Sequence, residues 1–405
     1  MNQSNNNSRR DFLRQSAVLG AGAVLAGSSN VFAEKSSGYV NGPYPTEGMT
    51  GYSETSPVKV MKFQRRALGP KDVAIKIHYC GVCHSDIHTI HGDWGKIQYP
   101  QIVGHEIAGE VVAIGSSVSK FDVGSRVGVG TMVDSCRHCP ECLRGAENYC
   151  ESGNTQTYGS KDRDGSITQG GYSRFVVVDQ DFVLSIPDSI DLTEAGPLLC
   201  AGITTYSPLR HWSIAPGKKV ALVGLGGLGH LAVQFATKMG ADVTVVTTSP
   251  DKEKDARRFG AKDVLINKDG ADFSKNKKAF DFILDTVPYQ HNLDILVPLL
   301  RRDATLCRVG VGKLTTPNEY GQMIMGIGKK FRRRIKHWGH SRDSGDAGFL
   351  RYPKHQTADN KDTDGRNQRR VAEGHCETSR VSFRYGHGYE RLTVQCRIFA
   401  RSGLM

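Results

Sequence analysis

The chain has 405 residues, enough for two domains with cores of their own, and 38% of them are hydrophobic, the level of a water-soluble protein rather than one built into a bilayer. A net charge of +12 would by itself invite a nucleic-acid partner, but residues 329–405 hold 18 Lys and Arg against 8 Asp and Glu. The tail therefore supplies +10 and the rest of the chain only +2, so no nucleic-acid partner is expected, and the sequence shows neither an internal repeat nor a membrane-spanning run.

In chain order, Ser8-Arg9-Arg10-Asp11-Phe12-Leu13 precedes an apolar stretch from Ala17 to Ala26, and Val31-Phe32-Ala33 offers small residues for cleavage. Residues 1–33 resemble a twin-arginine export signal. The other reading is an uncleaved anchor, which so short an apolar run does not suit. The signal implies the twin-arginine machinery as a partner and a periplasmic or otherwise exported location. Cysteines loaded with metal in the reducing cytoplasm would then be protected from disulfide formation outside it. Residues 34–50, rich in Gly, Ser and Pro, read as a linker.

Residues 51–201 are predicted to be β-rich, with many glycine turns. Cys83 stands in Gly81-Val82-Cys83-His84-Ser85-Asp86, His105 in Gly104-His105-Glu106, and Cys200 in Pro197-Leu198-Leu199-Cys200-Ala201-Gly202. Two thiolates and one imidazole make the three protein ligands of a zinc whose fourth position stays open to substrate. Taken singly, a cysteine in an apolar run is a core residue and a lone histidine a satisfied one; spacing does not link the three. Ser85 is a short hydroxyl able to pass a proton and His88 a histidine able to accept or return it. Their plain alternatives are a hydroxyl bonded to nearby backbone and a solvated surface histidine. Trp94 and Tyr99 read equally as the lining of an apolar pocket or as core.

Four further cysteines, Cys136, Cys139, Cys142 and Cys150, are spaced x2, x2 and x7. Thiolates so close in sequence can close a tetrahedral zinc shell that leaves no position for substrate, which makes a structural site. Disulfides are the alternative, but adjacent x2 spacings suit a metal better than two unstrained bridges.

Residues 202–328 alternate strands, at Val220 to Val223, Asp242 to Thr247, Asp263 to Ile266, Phe282 to Leu284 and Thr305 to Val309, with helices between them, as in a parallel α/β sheet. The first strand runs into Gly224-Leu225-Gly226-Gly227-Leu228-Gly229 and then a helical pattern. The first glycine permits the tight turn, the second lets backbone approach a pyrophosphate, and the third allows helix to pack closely on strand. Where a NAD-binding chain would carry an acid, about 20 residues beyond the glycines, stand Thr247, Thr248 and Ser249, followed by Lys252 and Lys254. Hydroxyls and ammonium groups suit a 2′-phosphate and so NADP; Asp251 points the other way.

With these motifs the chain resembles the zinc-dependent medium-chain alcohol dehydrogenases, and within them the cinnamyl alcohol dehydrogenase-like, NADP-dependent aldehyde reductases. The likeness runs from about Tyr52 to Gly328 through GVCHSD, GHEIAGEVVAIG, VDSCRHCPECLRGAENYC, GGYS, PLLCAGITTYSPLRHW and VALVGLGGLGHLAVQFA. It implies a GroES-like catalytic domain at 51–201 and a Rossmann domain at 202–328, with two zincs per chain and NADP. Cys83, His105 and Cys200 would hold the catalytic zinc, with Glu106 able to approach it, and Cys136, Cys139, Cys142 and Cys150 the structural one. Asp86 would orient the ligand histidine. Ser85 and His88 would relay the alcohol proton, His84 face the cofactor pyrophosphate and Thr204 lie beside the nicotinamide. The expected partners are a small alcohol or aldehyde and a second copy of the chain.

The likeness breaks in residues 329–405, where the family has its last Rossmann strand and a helix returning to the catalytic domain. Most of this basic tail shows neither strand nor helix periodicity and reads as unfolded. Lys336 to Arg351 can be encoded by codons that, read one nucleotide later, give NIGGIPETQEMLDFC, a glycine turn, a proline and the start of an amphipathic helix. The tail is accordingly read as a shifted frame. If the missing elements prevent the cofactor cleft from assembling, the chain is instead a zinc-binding, catalytically defective remnant.

Overall fold

The computed structural model describes residues 42–268, 272–289, 291–314, 379–385 and 388–394. The proposed export signal and all of the tail except two strands lie outside the described residues. Strands β1 (Tyr44–Thr50) and β2 (Lys59–Arg65) pair antiparallel. This corrects the linker expected over residues 34–50. Alternate positions from Tyr44 to Thr50 are buried, a strand pattern that the Pro and Gly of this stretch conceal in the sequence.

The strands β3 (Asp72–Cys80), β4 (Ile107–Ile114), β5 (Arg126–Val129), β6 (Met132–Asp134), β7 (Thr155–Gln156), β8 (Phe175–Asp179) and β9 (Leu184–Ser185) follow. Five of them form an antiparallel sheet in the order β8-β3-β4-β5-β9. Val73, Ile75, Val111, Val127, Val176 and Val178 pack in its core, each contributing about 1.5–3 kcal/mol by burial. Two excursions leave this sheet. The β3–β4 connection carries helix His84–Ile90 and then His105, and the β5–β8 connection carries the four-cysteine lobe, fastened by the β6–β7 pair.

The second sheet is wholly parallel, in the order β12-β11-β10-β13-β14, from β10 (Lys219–Val223), β11 (Asp242–Thr247), β12 (Asp263–Ile266), β13 (Phe280–Asp285) and β14 (Leu300–Arg308). It is the Rossmann sheet foreseen from the strand pattern. Val220, Leu222, Val245 and Phe282 face helices Ile203–His211 and Gly227–Lys238, while Ala221, Val223, Val246 and Ile283 face Leu296 and Leu299 on the other side. Burial on both faces explains the unbroken apolar runs of these strands. Helices between all the strands were expected. Among the described residues the β12–β13 and β13–β14 connections hold only the 3-10 turns Ser274–Asn276 and Val297–Leu299, where clustered lysines and Pro298 disfavour a longer helix.

Among the described residues this sheet ends at β14, and the sixth strand implied by the resemblance is not there. The tail does contain β15 (Ser379–Tyr385) and β16 (Gly388–Val394), an antiparallel pair of its own. Here Val381, Phe383 and Tyr385 alternate with Arg380, Ser382 and Arg384, a short period-2 signal within a tail most of which shows none. No helix of the described residues is long and apolar enough to cross a membrane.

Candidate active site and cysteine lobe

Cys83 caps the helix His84–Ile90 from an extended backbone, and its N–H donates to Asp86 Oδ2 at 2.9 Å. Asp86 is completely buried and also accepts from Gly104 N at 3.0 Å and from the Tyr172 hydroxyl at 2.8 Å. Its Oδ1 lies 3.2 Å from His105 Nδ1, which leaves His105 Nε2 facing Cys200 Sγ at 3.1 Å. The second neighbour of Nδ1 is the Tyr158 hydroxyl at 3.1 Å. Cys200 sits in a π-helical turn, Leu198–Gly202, between two helices, a local widening frequent where a side chain must be aimed. Its Sγ is 3.9 Å from that of Cys83. Glu106, 4% exposed, turns its carboxylate into the same space because Gly81 has no side chain; a Cβ there would fall 2.0 Å from Glu106 Oε2. One ligand atom from each of Cys83, His105, Glu106 and Cys200 thus lies within 4.8 Å of all the others.

Charge shows what this donor set suits. The hydrogen bond with Cys200, with His105 close by, holds the Cys83 thiol down to about 4. The same sulfur contact, together with burial, pushes Cys200 well up. Burial raises Glu106 to about 8. For His105 burial favours the neutral ring, but Asp86 and Cys83 outweigh it and bring it to about 10. Left to themselves Cys200, Glu106 and His105 keep protons beside the Cys83 thiolate, because the four groups cannot all be deprotonated so close together. A dication replaces those protons, and two thiolates with one oriented imidazole leave it an open position, so the residues fit zinc.

Ser85 Oγ lies 3.5 Å from Cys83 Sγ, at the edge of this set. His88, one turn further on, is 8% exposed, which rules out a solvated surface histidine. Its Nδ1 is 2.8 Å from Asp93 Oδ2, and its Nε2 is buried with no hydrogen-bond partner among the described residues. Its ring stacks against His84 and lies beside Trp94. The Trp94 indole donates to Gly312 O and the Tyr99 hydroxyl to Ile90 O, so both tether backbone.

In the lobe the sulfurs of Cys136, Cys139, Cys142 and Cys150 also lie within 4.8 Å of one another. Each of the eight cysteines among the described residues is free, and Cys136 and Cys142 Sγ are 3.8 Å apart, far beyond a disulfide bond. Backbone N–H groups turn inward to the sulfurs: Cys136 N to Cys150, Cys139 N to Cys136, Cys142 N and Glu151 N to Cys139, at 3.3–3.5 Å. Backbone N–H donors, that of His138 foremost, lower the Cys136 thiol to about 6, while burial pushes Cys142 up to about 12. Arg137, at a positive φ of 66°, reaches out of the lobe to Asp134 at 2.8 Å and the buried Asp179 at 3.0 Å, fastening it to the main sheet.

The glycine turn is built for a phosphate ligand. Gly224 adopts φ +87°, and a Cβ on Gly229 would fall 2.1 Å from Gly224 O, so helix and strand meet in backbone contact. By contrast, a Cβ on Gly226 or Gly227 would meet nothing within 4 Å. Open space above the first turn of helix Gly227–Lys238 is the cradle a pyrophosphate needs, so the residues fit a dinucleotide. Thr248 and Ser249 follow the end of β11, with Lys252 on the turn Pro250–Lys252 and Lys254 exposed on helix Glu253–Arg258. Thr204 lies on helix Ile203–His211, half-buried, and His84 opens the helix that carries Ser85 and His88.

Sequence reasoning missed Gly81, Asp93, Tyr158 and Tyr172. Tyr172 lay within Gly170-Gly171-Tyr172-Ser173, already noted as a motif, yet nothing local shows that its hydroxyl serves a carboxylate 86 residues away.

The family described as "Alcohol dehydrogenase GroES-like domain" matches residues 69–188, and that described as "Zinc-binding dehydrogenase" matches residues 227–339. NADP-dependent alcohol dehydrogenase C 1 of Mycolicibacterium smegmatis is 53% identical over 64% of this chain and 74% of its own length. The aldehyde reductase YahK of Escherichia coli is 49% identical over 64% and 74%. Among solved structures, CAD from Helicobacter pylori complexed with NADP(H) is 37% identical, covering 70% of this chain and 82% of its own with a TM-score of 0.64. A cinnamyl alcohol dehydrogenase from Sorghum bicolor is 39% identical over 71% and 81%, with a TM-score of 0.65. Two matched family regions, relatives at half identity and a pocket whose donors fit zinc agree, and the chain belongs to the zinc-dependent medium-chain alcohol dehydrogenases.

Proposed function

We propose that this oxidoreductase transfers a hydride between NADP(H) and a primary alcohol or aldehyde. The observation that carries the reading is the meeting of Cys83, His105 and Cys200, drawn from three separated segments, beside Ser85. Zinc held by Cys83, His105 and Cys200 would supply a Lewis acid for the substrate oxygen, and a bound NADP(H) would supply the hydride acceptor or donor. Asp86 holds the His105 ring through Nδ1 and so keeps Nε2 on the metal side. Ser85 takes the alcohol proton and hands it toward His88, held at Nδ1 by Asp93. Thr204 would lie beside the nicotinamide of a bound cofactor and His84 would face its pyrophosphate. Gly224, Gly226, Gly227 and Gly229 shape the turn, and Thr248, Ser249, Lys252 and Lys254 receive the 2′-phosphate.

A second reading, a zinc-binding chain that cannot turn over, is favoured by one observation: among the described residues the Rossmann sheet stops at β14. The relatives are matched over about three quarters of their length, as a disrupted C-terminus would produce. We hold the 329–405 tail to be frame-shifted. Residues 8–13 and the apolar run behind them support export by the twin-arginine route to the periplasm, and the mature protein is proposed to act as a homodimer.

Zinc-loaded protein, as written and with the alternative frame restored after Gly328, should be assayed for aldehyde-dependent oxidation of NADPH and NADH. Activity of the restored chain alone, with NADPH preferred, bears out both the function and the frame shift. Equal activity of both makes the tail native, and none from either refutes the enzymatic reading.

A further inference from the structure

Two loops of the nucleotide-binding domain reach the segment that carries the relay residues, and they reach it from opposite ends. Beyond β13, Tyr289 sets its ring edge-on to His84, with centroids 6.3 Å apart. Beyond β14, Gly312 O accepts the Trp94 indole N–H at 2.8 Å, Leu314 N donates to Asp93 O at 3.3 Å, and Lys313 Nζ lies 3.0 Å from Asp93 Oδ1. Between these ends the rings are continuous: His84 stacks on His88 at 5.8 Å, and His88 lies 5.3 Å from Trp94. Asp93 is shared, its Oδ1 taking Lys313 and its Oδ2 His88 Nδ1.

We propose that Tyr289, His84, His88 and Trp94 form a ladder through which seating of the nucleotide-binding domain sets the orientation of His88, with Lys313 and Trp94 as positioning residues. The proposal rests on reading His88 as the outer member of the proton relay. An imidazole packed against two rings and held at Nδ1 has one orientation, and Nε2 is then the ring nitrogen left to exchange a proton. Lys313 is 65% exposed, so its ion pair alone is weak. Its effect comes from acting with the two backbone bonds made by its neighbours Gly312 and Leu314. When this loop leaves, Trp94 loses its acceptor and Asp93 its cation together, and His88 keeps only the restraints of its own helix.

The test is the imidazole nitrogen NMR signature of His88 in zinc-loaded full-length protein with labelled histidine. Wild type should show a single tautomer, protonated on Nδ1 toward Asp93. Lys313→Ala and Trp94→Phe should show averaged tautomer signals, Lys313→Arg should restore the single one, and zinc content should stay unchanged. Tyr289→Leu, at a site 59% exposed, probes the other end without threatening the fold and should also average the signal. In turnover, Lys313→Ala should lower kcat about tenfold, leave the aldehyde KM in place and enlarge the solvent deuterium isotope effect. An unchanged His88 signature in Lys313→Ala and Tyr289→Leu overturns the ladder. Wild type without turnover counts against the proposed function, whereas the nitrogen signature needs no turnover and still decides the ladder.

Discussion

The lobe and the pocket each bring four ligand atoms within 4.8 Å, yet they are built in opposite ways. In the lobe all four ligands come from fifteen consecutive residues, and local N–H groups hold the sulfurs. In the pocket they come from three segments, and the key orientation, that of His105, depends on Asp86 across eighteen residues of chain. A site made by local turns can form early and hold its surroundings together; one made by tertiary packing is only as good as the domain around it. The contrast also separates a closed set of four thiolates from an open set of three ligands with a carboxylate beside it.

The comparison is broken most strongly at Cys83. Cys83→Ala should reduce turnover on the order of 10³-fold or more, because the substrate oxygen loses its Lewis acid, while metal analysis still finds the lobe zinc. Cys139→Ser should do the reverse. The lobe should lose its zinc, with several kcal/mol of stability on the order of a domain's whole margin, so soluble yield should collapse. Folded wild type containing one zinc would refute the paired assignment.

Acidification sharpens the contrast. His105 at about 10, Glu106 at about 8 and a raised Cys200 mean that the metal-free pocket binds protons readily, so zinc must displace them. Affinity there should therefore fall as pH falls, and from about pH 8 to about pH 5 the pocket should release zinc before the lobe, where backbone N–H donors lower Cys136 to about 6. Chelator-competition titration at each pH reads the order, and simultaneous release would contradict it. Asp86→Asn should cost about 10–100-fold in zinc affinity at the pocket and nothing at the lobe. The smallest effect lies at the cofactor: Ser249→Asp should repel the 2′-phosphate and move preference toward NADH by about 1–2 kcal/mol, roughly tenfold. Wild type that already favours NADH would sink this reading of the loop.

Much of this was legible without coordinates. The five Rossmann strands follow from apolar runs, and the glycine roles from the need for a tight turn and a close approach, which Gly224 and Gly229 show in their backbone. The β1 strand was missed because Pro43, Pro45 and Gly48 read as linker, although partners on β2 make it a strand. The shortened β12–β13 and β13–β14 connections were missed because strand periodicity does not report what lies between strands. Tyr158 and Tyr172 carried no signal, since a buried carboxylate or imidazole takes its hydroxyl partner from wherever the fold brings one.

By itself the sequence determined what depends on near neighbours along the chain: the four-cysteine lobe, whose spacing is its geometry, and the glycine turn. Only the tertiary structure decided that Cys83, His105 and Cys200 meet, that His88 is buried against the rings of His84 and Trp94, and that Gly312 and Lys313 reach Trp94 and Asp93. The reason is physical. Local motifs are set by backbone stereochemistry over a few residues, whereas distant ligands converge only when two sheets bury their apolar faces and the segments between them have one place to go.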